Sequence, residues 1–267
     1  MLNFKCLAFF LCLVAFHQTA FSQLGFSHEI GIIAGPVEFR SDFGKRGNTE
    51  TNFGNMGIGI GVVHYINFSY RADCNCYSTD TYFNDHFKLR NEISWNKTNL
   101  EHFGKWVDPK KNTVEANQLR GHKGVAKNLD IGTQLEYFPF SIRSFQSFGY
   151  RIAPFVSLGV HYTSFNPEVS TTYANPDPTA FGDVTDPSNF YSLWAPGSVD
   201  ASGGGTWSVV SSVGVRYKVS KLADLMLDVR WQYYFNDWVD GLNHQLDYNK
   251  HNDWLVWVNI GYIYYLD

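Results

Sequence analysis

The final stretch, residues 254–267 (WLVWVNIGYIYYLD), restricts the fold more than any other part of the chain. Its alternate residues Trp254, Val256, Val258, Ile260, Tyr262, Tyr264 and Leu266 are all apolar or aromatic, while the other set includes Asn259 and Gly261. A period of two gives a strand with one wholly apolar face. The rings lie at the two ends of that face and the aliphatic side chains in the middle. A strand crossing a bilayer has this order, with Trp and Tyr at the two headgroup levels.

The pattern recurs in residues 26–34, 57–68, 87–96, 128–138, 150–165, 206–219 and 224–236. About ten alternating residues per segment match a tilted bilayer crossing, whereas strands of soluble proteins average about five or six. The apolar face therefore belongs outside, against lipid, and the polar face inside. In a soluble barrel the two would be exchanged. Pro154 suits a central strand poorly, so a bulge is expected there.

Eight such segments predict an all-β fold, an eight-stranded antiparallel up-and-down transmembrane β-barrel. A chain with 17% aromatic residues and 23 Gly suits many amphipathic strands, and no internal run approaches the ~20 apolar residues of a membrane helix. Only helices and closed sheets satisfy their backbone in lipid. With a periplasmic N-terminus, the connections after the first, third, fifth and seventh strands are external. The two longest are among them: 97–126, with a net charge of +3, and 166–204, with a net charge of -5. The links 139–148 and 220–223 on the opposite side are short, while 69–85 is longer than the barrel rule asks.

Lys5, the apolar run 6–16 and the small residues Ala20 and Ser22 read as a signal peptide over 1–22, leaving a barrel of 23–267 in the bacterial outer membrane. The mature chain then keeps two cysteines, Cys74 and Cys76, in an oxidising compartment. A strained disulfide, thiols paired with a partner chain and a soft-metal site are the open readings. The spacing is not the C-x2-C of structural zinc.

On the polar faces Lys88, Arg90, Arg151, Arg216, Lys218 and Arg230 stand against Glu29, Glu92, Asp130, Glu136, Asp224 and Asp228. Equal numbers of each sign predict a self-paired lumen rather than a charged pore, because eight strands enclose just enough space for side chains. Little or no conductance is expected. His161 and Ser164 could suggest a lipid-modifying enzyme, but i, i+3 on a strand puts them on opposite faces, where nucleophile and base cannot touch. The chain is therefore read as non-enzymatic. External Trp106, Tyr191 and Trp194 could dock a sugar or protein or pack within the loops. No cofactor motif and no nucleic-acid motif is present.

The segments 28–31 (HEIG), 88–94 (KLRNEIS), 135–140 (LEYFPF), 152–160 (IAPFVSLGV) and 165–167 (FNP) together resemble a family of small outer-membrane barrels of gliding and related bacteria, which includes the PorG-like components of type IX secretion. The resemblance implies a scaffold or docking role facing the periplasm and brings no enzymatic residues. Link 69–85 or the external loops would meet protein partners, and the barrel wall would meet outer-membrane lipid. The alternative is a small ligand-binding or porin-like transport barrel that uses its external loops.

Overall fold

The computed structural model describes residues 26–69, 81–173, 182–186, 188–189, 191–247, 249 and 251–266. The leader 1–22 and the pair Cys74 and Cys76 lie outside the described residues. The strands are β1 (Ser27–Arg40), β2 (Met56–Asn67), β3 (Phe87–Glu101), β4 (His122–Tyr137), β5 (Ile152–Phe165), β6 (Glu168–Thr171), β7 (Gly204–Ser220), β8 (Ala223–Tyr234) and β9 (Trp254–Tyr265). Short helices α1 (Tyr82–His86), α2 (Val114–Gly121) and α3 (Ile142–Gln146) sit in the connections.

Every pairing in the wall is antiparallel. β3 pairs with both β2 and β4, and β9 closes onto β1 from Glu29↔Tyr265 to Arg40↔Trp254, so eight strands form a closed barrel without free edges. β6 is a short addition to the outer end of β4.

The polarity of the wall is inverted relative to a soluble protein. Ile58, Leu158, Val213 and Ile260 on the outside are 62%, 63%, 66% and 63% exposed, while Arg90, Arg216 and Arg230 inside are 0% exposed. Such a surface is stable only against hydrocarbon. Aromatic residues rim the band. Phe26, Phe68, Phe83, Phe87 and Tyr137 form a continuous series of ring contacts at one end, and Tyr162, Trp207, Trp231, Tyr233 and Phe235 make ring contacts at the other.

Three features differ from the sequence reading. First, Pro154 causes no bulge: the β5–β7 ladder runs through Pro154↔Val215 in register, and the β4–β5 ladder ends at Tyr137↔Val156. The missing N–H therefore faces a side where no strand needs it. The register shift lies instead between Lys218 and Ser220. Second, β1 continues through Pro36 to Arg40. The closing ladder omits Gly35 and Pro36, and a Cβ at Gly35 would collide with the backbone oxygen of Val258, so glycine alone allows that approach. Third, β3 and β4 extend beyond the bilayer as a hairpin, which shortens loop 97–126 to 102–121. Lys97, Asn99 and Glu101 alternate with Thr98 and Leu100, and Glu101 pairs with Lys123 opposite at 2.5 Å. In water this alternation needs no apolar face, so hydrophobicity does not reveal it.

Candidate functional site

The lumen holds a connected chain of charges. Lys88 donates to Glu29 at 2.5 Å, and Glu29 accepts from Arg216 at 2.7 Å. Arg216 reaches Glu136 at 3.1 Å, and Glu136 meets Arg90 at 3.4 Å. Arg90 also binds Asp228 at 3.2 Å and Glu92 at 2.8 Å. Arg230 grips Glu92 with two bonds of 2.6 Å and lies 4.8 Å over the Trp257 ring. Lys218 pairs with Asp224 at 3.2 Å, and Asp224 accepts from the Tyr265 hydroxyl. A bidentate guanidinium–carboxylate pair is the strongest form of such a contact and leaves few lone pairs unmet.

Two charged residues stand apart from this chain. Arg151 precedes β5 and is exposed, so it is not a lumen residue; the alternation continues past the point where the wall begins. Asp130 is buried but accepts from Thr163, Gln232 and Asn96 at 2.5, 2.8 and 3.2 Å, outside the ion-pair chain. The described lumen therefore carries Lys88, Arg90, Arg216, Lys218 and Arg230 against Glu29, Glu92, Asp130, Glu136, Asp224 and Asp228, five cations to six carboxylates. His161 points inward and contacts Gln134 at 3.2 Å, while Ser164 points out.

Both ends are stoppered. At the periplasmic end Ser141 caps α3 by accepting from the Ser144 N–H at 3.2 Å, and the helix turns Ile142 and Phe145 under the barrel beside Phe138 and Phe155. Lys88 lies 5.6 Å over Phe138, and Lys218 lies 5.3 Å over Phe145. Arg143 ties α3 to the preceding link by donating to Ser69 O at 3.1 Å. The sequence reading treats 139–148 only as a short link. Its ring density and the capping Ser141 were the available signals.

At the outer end Phe43 is fully buried and packs on both His102 and His122, 5.0 and 4.9 Å away, which lie 5.1 Å from each other. Trp194 stacks on His244 at 5.7 Å. Loops 41–55 and 235–253 are locked together by Arg46, which binds Asp42 at 2.6 Å, Asp237 at 2.6 Å and Asp253 at 2.9 Å. Asp240 accepts from the Asp42 N–H at 3.0 Å. One guanidinium cannot neutralise four carboxylates in a buried cluster. Burial, with Asp240 beside it, pushes Asp42 up to about 8; burial raises Asp237 to about 7 and Asp240 to about 6. This clasp involves none of the sequence-derived candidates.

Above Phe43 and Trp194 the loops enclose a cavity of about 540 Å³. Phe103, Leu119, Tyr191 and Leu193 form its walls, and Lys45, Lys105, Glu50 and Trp106 its rim. Of the external aromatics singled out from sequence, Trp194 and Tyr191 therefore pack inside the mouth at 5.2 Å from each other, while Trp106 is 57% exposed.

One patch of the outer wall is not apolar. His28 meets His64 at 3.1 Å, His64 meets Asn91 at 3.4 Å, and Asn91 pairs in register with Thr133. Four residues along β2 from Phe68, this row stands roughly 10 Å inside the aromatic rim at ordinary strand rise and tilt.

A closed sheet that is apolar outside, charged inside and long-looped at one end is the architecture of one compartment. The chain is an outer-membrane β-barrel. No family model matches it, and no curated protein matches it. Solved structures with similar folds include a major outer membrane protein from Thermus thermophilus, at 14% identity and TM-score 0.45 over 90% of this chain and 99% of that one. Neisserial surface protein A aligns at 12% identity and TM-score 0.42 over 89% and 96%. Ail, the attachment invasion locus protein of Yersinia pestis, aligns at 9% identity and TM-score 0.42 over 91% and 100%.

Proposed function

We propose that this barrel is a non-conducting, non-enzymatic docking component of an outer-membrane assembly that works through its ends and its wall. The carrying observation is the filled lumen: the Lys88–Glu29–Arg216–Glu136–Arg90–Glu92–Arg230 chain lies between the α3 stopper and the Phe43–Trp194 stopper. A channel needs a wet path, and here the charged side chains of the lumen other than Asp130 are paired with one another. Three surfaces remain for partners. The periplasmic end presents exposed Tyr82 and Phe83 of α1, in the described part of link 69–85. The external loops form the second surface. The lipid-facing row His64–Asn91–Thr133 is the third, since polar groups in hydrocarbon are costly and mark interaction sites. The resemblance to PorG-like barrels extends this reading to a secretion-related assembly of the type IX kind.

A second reading, ligand capture by the external loops, is favoured by the cavity between them. In this reading the ligand is held at the mouth and does not pass through the lumen. Two measurements test the proposal. The purified barrel in a planar bilayer should show no stable open channel, and extraction in mild detergent should recover it with neighbouring outer-membrane proteins. A stable conductance would overturn the closed-barrel reading. Recovery as an isolated monomer with a bound small molecule would favour the second reading over docking.

A further inference from the structure

We propose that the cavity between the external loops is a binding site for a planar, apolar organic anion, seated with its rings on the Phe43–Trp194 floor and its acidic group between Lys45 and Lys105. This goes beyond the docking role, which stands or falls with the closed lumen and the co-purified partners.

The ligand class follows from what the lining offers and what it has already used. At about 540 Å³ the cavity has the size of a small-molecule site, and its walls are rings and leucines. The polar atoms at its base are engaged within the protein. His102 Nε2 contacts His122 Nδ1 at 2.9 Å, His244 Nδ1 accepts from the Leu246 N–H at 3.2 Å, and the Asp42 carboxylate takes bonds from Arg46, Asn249 and the His244 N–H at 2.6, 2.6 and 3.1 Å. A polyol would find few deep partners, whereas a flat apolar body loses nothing there.

The floor also carries no positive charge. Burial holds His102 near 3 and His244 near 4, so both rings are neutral at pH 7. Fixed positive charge is confined to the rim, in Lys45 and Lys105; the lining carboxyl groups are Glu50 at the rim and Asp42 at the base, the latter bound to Arg46. Lys105 is held at the mouth 4.8 Å over the Trp106 ring, which Lys111 also approaches at 4.9 Å. That ring face is thereby taken by cations, and the ammonium groups remain available to an anion. Of the six cations in the 97–126 segment, Lys105 lines this opening.

The test uses the full mature barrel in lipid nanodiscs, with empty nanodiscs as the reference for partitioning. Titration calorimetry with 2-naphthoate should give saturable one-to-one binding at least tenfold tighter than 2-naphthylmethylammonium, which has the same rings and the opposite charge. Octanoate, with the charge but no rings, should also bind at least fivefold more weakly. The double variant Lys45→Gln/Lys105→Gln should lose at least tenfold in 2-naphthoate affinity and the preference for the anion. Leu193→Asp, on an exposed part of the wall, should weaken it by a similar factor. All variants lie in loops and should keep the wild-type heat-modifiable gel shift. The proposal is overturned if 2-naphthoate shows no saturable heat above empty nanodiscs, if the ammonium or octanoate binds as well, or if the lysine variant binds like wild type.

Discussion

Arg230→Met is the sharpest test of the lumen. The substitution deletes two 2.6 Å bonds to Glu92 and the guanidinium over Trp257, and leaves Glu92 with Arg90 at 2.8 Å and the Gln134 amide at 3.4 Å. It also changes the lumen from five cations against six carboxylates to four against six. Removing one partner of a fully buried pair costs about 3 to 5 kcal/mol, mostly for the charge left behind. The remaining Arg90 contact places this case at the lower end. Glu92→Leu alone should cost a similar amount by stranding Arg230. The double variant Glu92→Leu/Arg230→Met removes both charges and should be milder than the sum of the singles by about 2 kcal/mol or more, a coupling of the kind double-mutant cycles resolve. Urea unfolding in large vesicles, followed by tryptophan fluorescence and the gel shift, reads each value. A single variant costing less than about 1 kcal/mol, or a double variant as costly as the sum, would mean that the lumen is wet and the pairs are screened.

The assignment of outside and inside predicts a depth profile along β2. Ile60→Arg, at the middle of the exposed band, should cost about 2 to 4 kcal/mol in the same unfolding assay, and Met56→Arg at the strand end about 0 to 1 kcal/mol. The Arg46 clasp predicts a pH dependence whose sign follows from raised carboxyl values. In the folded loops Asp42, Asp237 and Asp240 keep protons up to about 8, 7 and 6, while the unfolded loops lose theirs near 4. The clasp therefore weakens as pH rises from about 4 to 8. Hydrogen exchange at the Asp42 and His244 amides should be better protected at pH 5 than at pH 9, and Asp42→Asn should flatten the difference. The polar row predicts opposite effects on fold and assembly. His64→Val/Asn91→Leu should leave the barrel at least as stable in lipid while reducing the yield of co-purified outer-membrane proteins. Unchanged recovery would leave the row without a partner role.

The wall was legible because lipid outside and packed side chains inside impose a period of two on every crossing. Ile58, Ile60 and Val62 alternating with Gly57, Gly59 and Gly61 carry both the strand and its orientation. Charged residues on the inner face followed from the same alternation. The pattern does not mark where the wall stops: Arg151 continues the alternation one step below β5 and lies in the open. Outside the bilayer the contrast between faces vanishes, which hid the extension of β3 and β4. The stoppers were illegible for a different reason. Phe43, Trp194 and the partners of Arg46 come from loops far apart in sequence, and only closure of the barrel brings Asp42, Asp237 and Asp253 to one guanidinium.

That closure also locates the chemistry left for binding. In a barrel of eight strands, each inward side chain is needed to fill the wall's own cavity, so a charge recruited to a ligand in the lumen would strand its partner at a cost of several kcal/mol. The ends carry no such constraint. The loops that close them can rearrange side chains without unpairing Glu29, Glu92 or Glu136, and water reaches Lys45, Lys105 and Glu50 at the outer rim. Selection for a partner or ligand can therefore act on the mouth, on the α1 end and on the lipid-facing row while the lumen stays unchanged. Changes at these three places should alter binding with little effect on unfolding, and changes in the lumen should do the reverse.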